Sequence, residues 1–515
     1  MAHILRRCPL DDELLERWVR PRDDLVAERL SSRTPPDGDT AATWTFEAVH
    51  GPVRRYRRTV TVEGDRLTVA TDYALGIPYF GWLVALPFRR TLARPPAPAG
   101  DEGRQPWWAP PDRLDHRGAA ILATLAAATL MSGYLGTLVT QTITYIADDF
   151  GLDTTHQQSL VLAFLRTGIV IALVLTTMAD RVGRRRVLIW TAAAGSLAGA
   201  LGALAPQLEW LIGAQLISRA MATALAVIIG VVAAEEMPKG SRAYAASLLA
   251  MSAALGAGLC VMLLPLADLG TGGWRLIHGL VILGLPLSFS ISRHLPESRR
   301  FVAPHREVSL AGHGRRLILL AVSGMLLLSF ATPASQFQNE FLRDERGMSA
   351  AAISLFTLLT VTPAGIGLVI GGHLADTRGR RRIGAVGVVA GTLLTLGIYF
   401  AAGWAMWAWS LVAGITGALA IPVLAVYGPE LFPTSLRGRA NGIITFFNVI
   451  GSVLGLLIGG VLADHLGLSR GLAVLAVGPL ILGVLFVTLY PETARLDLDE
   501  LNPEDRPALP PAHQG

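Results

Sequence analysis

Three charged signatures recur in this chain at an almost constant interval. Asp180-Arg181-Val182-Gly183-Arg184-Arg185-Arg186 returns 196 residues later as Asp376-Thr377-Arg378-Gly379-Arg380-Arg381-Arg382. Glu235-x-x-Pro238-x-x-x-Arg242 returns 195 residues later as Glu430-x-x-Pro433-x-x-x-Arg437. Pro296-Glu297-Ser298 returns, again after 195 residues, as Pro491-Glu492-Thr493. Each copy sits at the end of a long apolar segment. This is the pattern of a duplicated membrane protein, and the duplication points to transport rather than to chemistry.

Composition agrees. Of 515 residues 52% are hydrophobic and 16% charged, where soluble domains carry about 25% charged residues. The deficit falls after residue 117, where twelve apolar segments of about 20 residues, each long enough to cross a bilayer, lie between 118 and 489. The net charge of +5 does not imply nucleic acid, because the arginines cluster in short loops between apolar runs. Cys8 and Cys260 lie in unlike regions, so no disulfide framework is implied. The first twelve residues are polar and basic with no apolar run behind them, and no cleavable signal peptide is expected.

Six stretches follow. Residues 1–94 read as a small cytoplasmic α+β domain. Asp11 to Val19 suits a short amphipathic helix, and Thr43–Phe46, Tyr56–Val62 and Arg66–Thr71 alternate as strands, with a turn at Glu63-Gly64-Asp65. The apolar stretch Ile77–Phe88 is too short to span, and reads as core or docking surface in preference to an interfacial segment. Residues 95–114 form a proline-rich linker, with Trp107-Trp108 placed for the membrane interface. Residues 115–292 and 316–490 make two six-helix bundles joined by a loop at 293–315, and 491–515 is a cytoplasmic tail.

Topology follows from basic residues. With the N-terminus inside, the inner loops hold eighteen Lys and Arg and the outer loops four, Arg275, Arg343, Arg346 and Arg470. The asymmetry puts both termini in the cytoplasm of a multi-pass plasma-membrane protein.

In each loop signature a carboxylate is followed by glycine and three arginines, a tight turn at the membrane face. Asp180 or Asp376 can pair with arginines or cap a neighbouring helix N-terminus. Such clusters can clamp two halves in one state and release them in the other. The candidate gate set is Asp180, Gly183, Arg184, Arg185, Glu235, Arg242 and Glu297, repeated as Asp376, Gly379, Arg380, Arg381, Glu430, Arg437 and Glu492. Glu235 and Arg242 are expected beside the first clamp, Glu430 and Arg437 beside the second.

These residues carry a resemblance. Gly372-x-Leu374-Ala375-Asp376-x-x-Gly379-Arg380-Arg381 resembles the loop 8–9 signature of the major facilitator superfamily, with Thr176-x-Met178-Ala179-Asp180-Arg181-x-Gly183-Arg184-Arg185 as its loop 2–3 counterpart. Thr176 stands where the leading glycine is usual, which is expected to loosen packing there. Pro296-Glu297-Ser298-Arg299-Arg300-Phe301, Tyr427-Gly428-Pro429-Glu430-Leu431-Phe432-Pro433-Thr434-x-x-Arg437-Gly438 and Pro491-Glu492-Thr493 resemble the sugar-porter and metabolite–proton symporter branch. The resemblance spans about 116–495. It implies an all-α membrane protein with twelve transmembrane helices in two pseudo-symmetric bundles, working by alternating access.

Charge inside hydrocarbon costs several kcal/mol unless it meets a cavity or a partner. Arg219 lies mid-segment 4 and Arg166 in segment 2, and their repeat positions are Gly414 and Thr362. The fold's symmetry therefore requires neither charge. The resemblance implies that an arginine at the Arg219 position faces the central cavity, where it binds an anionic substrate or tunes a carboxylate. Gln336, Gln338, Asn339 and Glu340 look like a degenerate form of the polar stretch that sugar porters use to bind substrate. Gln141 and Tyr145 form a second polar patch, and His278 reads as an interfacial residue. Sugar–proton symporters carry an acid after Gly-Phe or Gly-Tyr in helix 1. Here Leu135 follows Gly133-Tyr134, so proton coupling would need another group such as Glu340.

No P-loop and no metal-ligand spacing is present, so no catalytic residue, cofactor or metal is expected. The expected partners are a small-molecule substrate, the bilayer and a proton, with the chain a monomer and no nucleic acid bound. The function expected is secondary transport of a small organic metabolite, an organic anion or sugar-like solute. The alternatives are a non-transporting sensor or scaffold with residues 1–94 as output, or a drug or lipid exporter.

Overall fold

The computed structural model describes residues 2–35, 41–96, 105–151, 161, 164–270, 272–302, 309–338, 341–348 and 350–505. The chain divides into two compact units, Met1–Ala127 and Ala128–Gly515.

The first unit is built on a five-stranded antiparallel sheet of order β1-β5-β4-β3-β2. Its strands are β1 (Ala2–Pro9), β2 (Ala27–Thr34), β3 (Ala42–His50), β4 (Val53–Glu63) and β5 (Arg66–Leu75). The Glu63–Arg66 pairing closes the β4–β5 hairpin at the turn expected from sequence. Strands β1 and β2 were not foreseen. Both are sheet edges and mostly exposed, so they lack apolar alternation.

Alternation in the central strands puts Tyr56, Arg58 and Val60 of β4 on one face with Val69, Thr71 and Tyr73 of β5. Two helices, α1 (Asp12–Trp18) and α2 (Gly81–Leu92), supply apolar partners for that face. Trp18 packs with Phe46, Val60, Leu67 and Val69. Phe88 and Leu92 pack with Ile4, Tyr56 and Tyr73. Between these two cores Arg58 is fully buried. Its guanidinium donates to Glu28 at 2.8 and 2.5 Å and to the Trp18 and Arg20 carbonyls at 2.5 and 2.9 Å. Tyr56 donates to the same carboxylate at 2.5 Å.

Burial pushes the Glu28 carboxyl up, but the Arg58 bonds and charge, with help from Tyr56 and the Arg22 amide, outweigh it and leave the group below its ordinary value. The expected linker is only partly free-running. Gln105 and Arg113 donate to the Asp24 carbonyl at 2.7 and 2.6 Å and fasten residues 105–113 along the domain.

Among the described residues eleven helices are long and apolar enough to cross a membrane. Numbered within the expected twelve, they are span 1 (His116–Ile143), 3 (Arg184–Leu204), 4 (Leu208–Glu236), 5 (Lys239–Met262), 6 (Trp274–His294), 7 (Gly314–Gln336), 8 (Leu355–Arg378), 9 (Arg380–Phe400), 10 (Gly403–Glu430), 11 (Arg437–Ala463) and 12 (Leu468–Thr488). Span 2 is represented by the helix Ile169–Val182. Large apolar side chains such as Val174, Leu457 and Val484 point outward, as lipid contact requires.

The repeat extends to backbone contact. A Cβ on Gly256 of span 5 would lie 1.9 Å from the Leu130 carbonyl oxygen of span 1, and one on Gly451 of span 11 would lie 2.5 Å from that of Met325 in span 7. Both residues of the second contact are 195 positions after those of the first, and each lets two helix backbones touch.

The buried Glu28–Arg58 pair yields a prediction. Arg58→Ala leaves a buried carboxylate without its cation and should cost about 3–5 kcal/mol of domain stability. Because the Glu28 value is depressed, its contribution is present above its unfolded value near 4.5 and disappears as pH falls through the lower folded value. Hydrogen exchange across β4 and β5 in the full-length protein should accelerate in Arg58→Ala at neutral pH. In the parent, protection measured relative to the intrinsic exchange rate should be kept at neutral pH and fall only once the pH drops below 4.5.

Candidate functional site

The repeated signatures meet at one end of the bundles. Span 2 ends and span 3 begins at Gly183, with φ 116° and ψ 140°, and spans 8 and 9 join in the same way at Gly379, with φ 102° and ψ 137°. Only glycine adopts this backbone readily. Space excludes a side chain as well, since a Cβ on Gly183 would lie 2.6 Å from Glu297 Oε2 and one on Gly379 would lie 2.8 Å from Glu492 Oε2. Each glutamate caps the helix that the turn begins. Glu297 Oε1 accepts from the Arg185 amide at 3.0 Å, and Glu492 accepts from the Arg380 and Arg381 amides at 2.9 and 3.2 Å. The Arg185 side chain donates to the Leu295 and Ser292 carbonyls, and that of Arg381 to the Phe486 and Val487 carbonyls.

The aspartates act across the bundles. Asp180 of the first half accepts from the Gly438 and Arg439 amides, at the N-terminus of span 11, at 3.0 and 2.8 Å. Asp376 of the second half accepts from the Tyr244 amide, near the N-terminus of span 5, at 3.0 Å. Each is also paired with the arginine four residues on, Arg184 at 3.1 Å and Arg380 at 2.9 Å. A buried carboxylate at a helix N-terminus is held by both charge and amide donors.

The Glu…Arg signatures cross over. Glu235 pairs with Arg437 at 3.0 Å, and Glu430 with Arg242 at 3.1 Å. From spacing, each glutamate and its own arginine are expected beside one clamp, whereas the arginines sit on the opposite one. The cause is geometric: Arg242 and Arg437 are the first α-helical residues of spans 5 and 11, whose N-termini are the ones the other half's aspartates cap. Arg184 and Arg380 complete the pattern by reaching Glu235, at 3.4 Å, and Glu430 respectively. Ser298 donates to Glu235 at 2.5 Å, and its repeat Thr493 accepts from Arg380 at 2.9 Å. Arg184, Arg380, Arg437 and Glu430 are almost wholly buried.

Thr176 does not loosen its contact. A Cβ on Gly372 would lie 2.7 Å from Ser247 Oγ, and at the repeat positions a Cβ on Gly442 would lie 2.3 Å from Thr176 Oγ1. The glycine has moved to the facing helix, and the close approach of span 2 to span 11 is kept.

The chain after Pro491 is not a free tail as far as Asp505. Asp497–Leu501 forms a short helix turn with a capping box. Asn502 donates to the Glu430 carbonyl at 2.8 Å. Asp505 accepts from the Thr434 amide at 2.9 Å and pairs with Arg437 at 3.2 Å. Asp505 has no counterpart in the first half among these signatures, so no repeat signalled it; Ser298 and Thr493 could have been read from the third signature.

Within the membrane, Arg219 donates to the Gly136 carbonyl of span 1 at 3.2 Å, and Arg166 reaches Ser452 of span 11 at 3.5 Å. The two arginines are electrostatic neighbours. Among the described residues neither makes an ion pair with a carboxylate. Gln141, Tyr145 and Gln338 are half-buried and Gln336 is exposed. No hydrogen bond among the described residues joins them to either arginine. Asn339 and Glu340 lie outside the described residues. His278 is not interfacial. It is fully buried, bonded to Thr142 at 3.0 Å and Gln215 at 2.9 Å, and ties together spans 1, 4 and 6.

The duplicated bundles have a counterpart among known proteins. The Major Facilitator Superfamily model matches residues 125–335 and again 317–511. The chain belongs to the Major Facilitator Superfamily. It is therefore a multi-pass membrane protein of a secondary-transporter family and not an enzyme. The glucose transporter GlcP of Staphylococcus epidermidis is 22% identical over 427 residues, 74% of this chain and 96% of that protein. The citrate-proton symporter of Klebsiella pneumoniae is 28% identical over 283 residues, 49% of this chain and 62% of that protein. Among solved structures, that of the proton:xylose symporter XylE bound to 6-bromo-6-deoxy-D-glucose superposes with a TM-score of 0.63 at 17% identity, covering 75% of this chain and 98% of that one. Members of the superfamily bind small molecules within the membrane. The sheet domain before residue 125 lies outside the match.

The transferred glycine can be tested by moving it back. Gly442→Ser alone should destabilise the protein by about 1–3 kcal/mol through overpacking against Thr176. Thr176→Gly combined with Gly442→Ser copies the Gly372–Ser247 arrangement and should recover most of that loss. Thermal unfolding in detergent checks this, and additive effects would contradict the contact.

Proposed function

We propose that this chain is a secondary active transporter that carries a small organic anion across the plasma membrane by alternating access, in symport with protons. The observation that carries the substrate class is that Arg166 and Arg219, which repel each other electrostatically inside the membrane region, reach only Ser452 and the Gly136 carbonyl and have no carboxylate partner among the described residues. Two like charges in low dielectric repel and are costly to desolvate, so the arrangement is stabilised when an anion neutralises it. Arg166 lies just before the span 2 helix and touches span 11, so an anion held there would contact both bundles. The similarity to a citrate-proton symporter supports an anionic substrate. GlcP and XylE support a small polar metabolite more broadly.

Symport follows from the electrical work. Moving one negative charge inward against 100 mV costs about 2.3 kcal/mol, and a co-transported proton removes that cost. Leu135 stands where a coupling acid would be expected, so the proton needs another carrier, for which Glu340 is the candidate.

The motif face is the cytoplasmic one by its excess of arginine. Its crossed ion pairs close it, and their release would open the path to the cytoplasm. The chain is proposed to work as a monomer with both termini inside.

Uptake into proteoliposomes tests the reading. Labelled di- and tricarboxylates should be taken up under an inwardly directed proton gradient, and a protonophore should abolish the accumulation. Arg219→Gln should lower anion uptake by roughly 10-fold or more, the loss expected when a charge-assisted contact of about 1.5–3 kcal/mol is removed. Glucose uptake unaffected by Arg219→Gln, with no anion flux, would reject the anion assignment.

A further inference from the structure

Helix α2 has two faces with different surroundings. Phe88 and Leu92 are buried in the domain core, whereas Trp82, Leu83 and Leu86 are 76%, 57% and 57% exposed. Arg89 and Arg90 follow on the same side, also exposed. A twelve-residue helix is too short to span a bilayer. A row of aromatic and aliphatic side chains ending in arginines suits one lying in the plane of an anionic interface.

Two further observations fix the face and place it. Buried Arg22 donates to the carbonyls of Thr91, Leu92 and Arg94 at the C-terminal end of α2, so the helix cannot roll its apolar side inward without losing these bonds. Gly76, five residues before α2, abuts His116, the first residue of span 1. A Cβ on Gly76 would lie 3.1 Å from His116 Cβ. The end of β5 that leads into α2 is thereby held beside the first residue of span 1. Trp107, 79% exposed, lies on the fastened segment that leads there.

We propose that α2 docks the N-terminal domain on anionic phospholipid in the leaflet where span 1 begins, with Trp82, Leu83 and Leu86 at the headgroup–acyl boundary and Arg89 and Arg90 on lipid phosphates. The docking surface is independent of what the bundles carry.

The test uses full-length protein with Cys8→Ser and Cys260→Ala, spin-labelled at Leu83→Cys or, as a control at the β4–β5 turn, at Glu63→Cys. Leu83 is exposed, so its replacement removes no core contact. In phosphatidylglycerol vesicles the label at 83 should collide several-fold less with an aqueous nickel chelate than the label at 63, and more with oxygen. In phosphatidylcholine the difference should shrink. Arg89→Gln with Arg90→Gln should shrink it in phosphatidylglycerol too, since each arginine near an anionic surface favours the docked form about fivefold. Equal nickel access at 83 and 63 in phosphatidylglycerol would overturn the proposal, as would shielding indifferent to lipid charge. Spin–spin broadening at 83 would assign the face to a second copy instead.

Discussion

Two crossed ion pairs, Glu235–Arg437 and Glu430–Arg242, are the interaction on which the rest of the membrane region depends. Each joins a residue of one bundle to a residue of the other, and both are buried. A buried pair is worth little net stability compared with apolar packing of the same volume, yet removing one partner is expensive. Such a pair therefore selects one arrangement of the bundles more than it strengthens either bundle. The aspartates add direction: Asp180 and Asp376 each cap a helix that belongs to the other half. The glycine turns and the capping glutamates then hold those aspartates in place from within their own half.

Duplication explains why the device is doubled, and departures from it show what each half does alone. The exchange of glycine between positions 176 and 442 keeps a contact while changing which helix carries the hydroxyl. Asp505 adds a third acidic partner to the Glu235–Arg437 side only. At mid-membrane the repeat is absent, because Arg166 and Arg219 answer to Thr362 and Gly414. A moving scaffold needs equivalent closures in both halves, whereas one substrate needs only one asymmetric site.

Much of this was legible in the sequence because charge among apolar runs is conspicuous. The span order, the two loops, the joining glycines and the charged residues that meet at the motif face could be read from spacing alone. Which arginine meets which glutamate could not, because offsets along the chain carry no information on contacts between halves. Edge strands β1 and β2 escaped notice because an exposed edge has no apolar period. His278 looked interfacial because its partners, Thr142 and Gln215, lie 136 and 63 positions away. The docking of the tail was not legible for the same reason, since the bonds of Asn502 and Asp505 reach back about 70 residues to Glu430 and Thr434.

The crossed pairs are proposed to keep the motif face closed. The most direct measurement is the spin–spin distance between labels at Arg186 and Arg382, two exposed positions on that face, one in each half, in a background lacking Cys8 and Cys260. With the pairs intact the distribution should be short and narrow. Glu430→Gln, which keeps the shape and removes the charge, should add a longer component that grows further when combined with Glu235→Gln. One unchanged distribution in parent and both variants would contradict it.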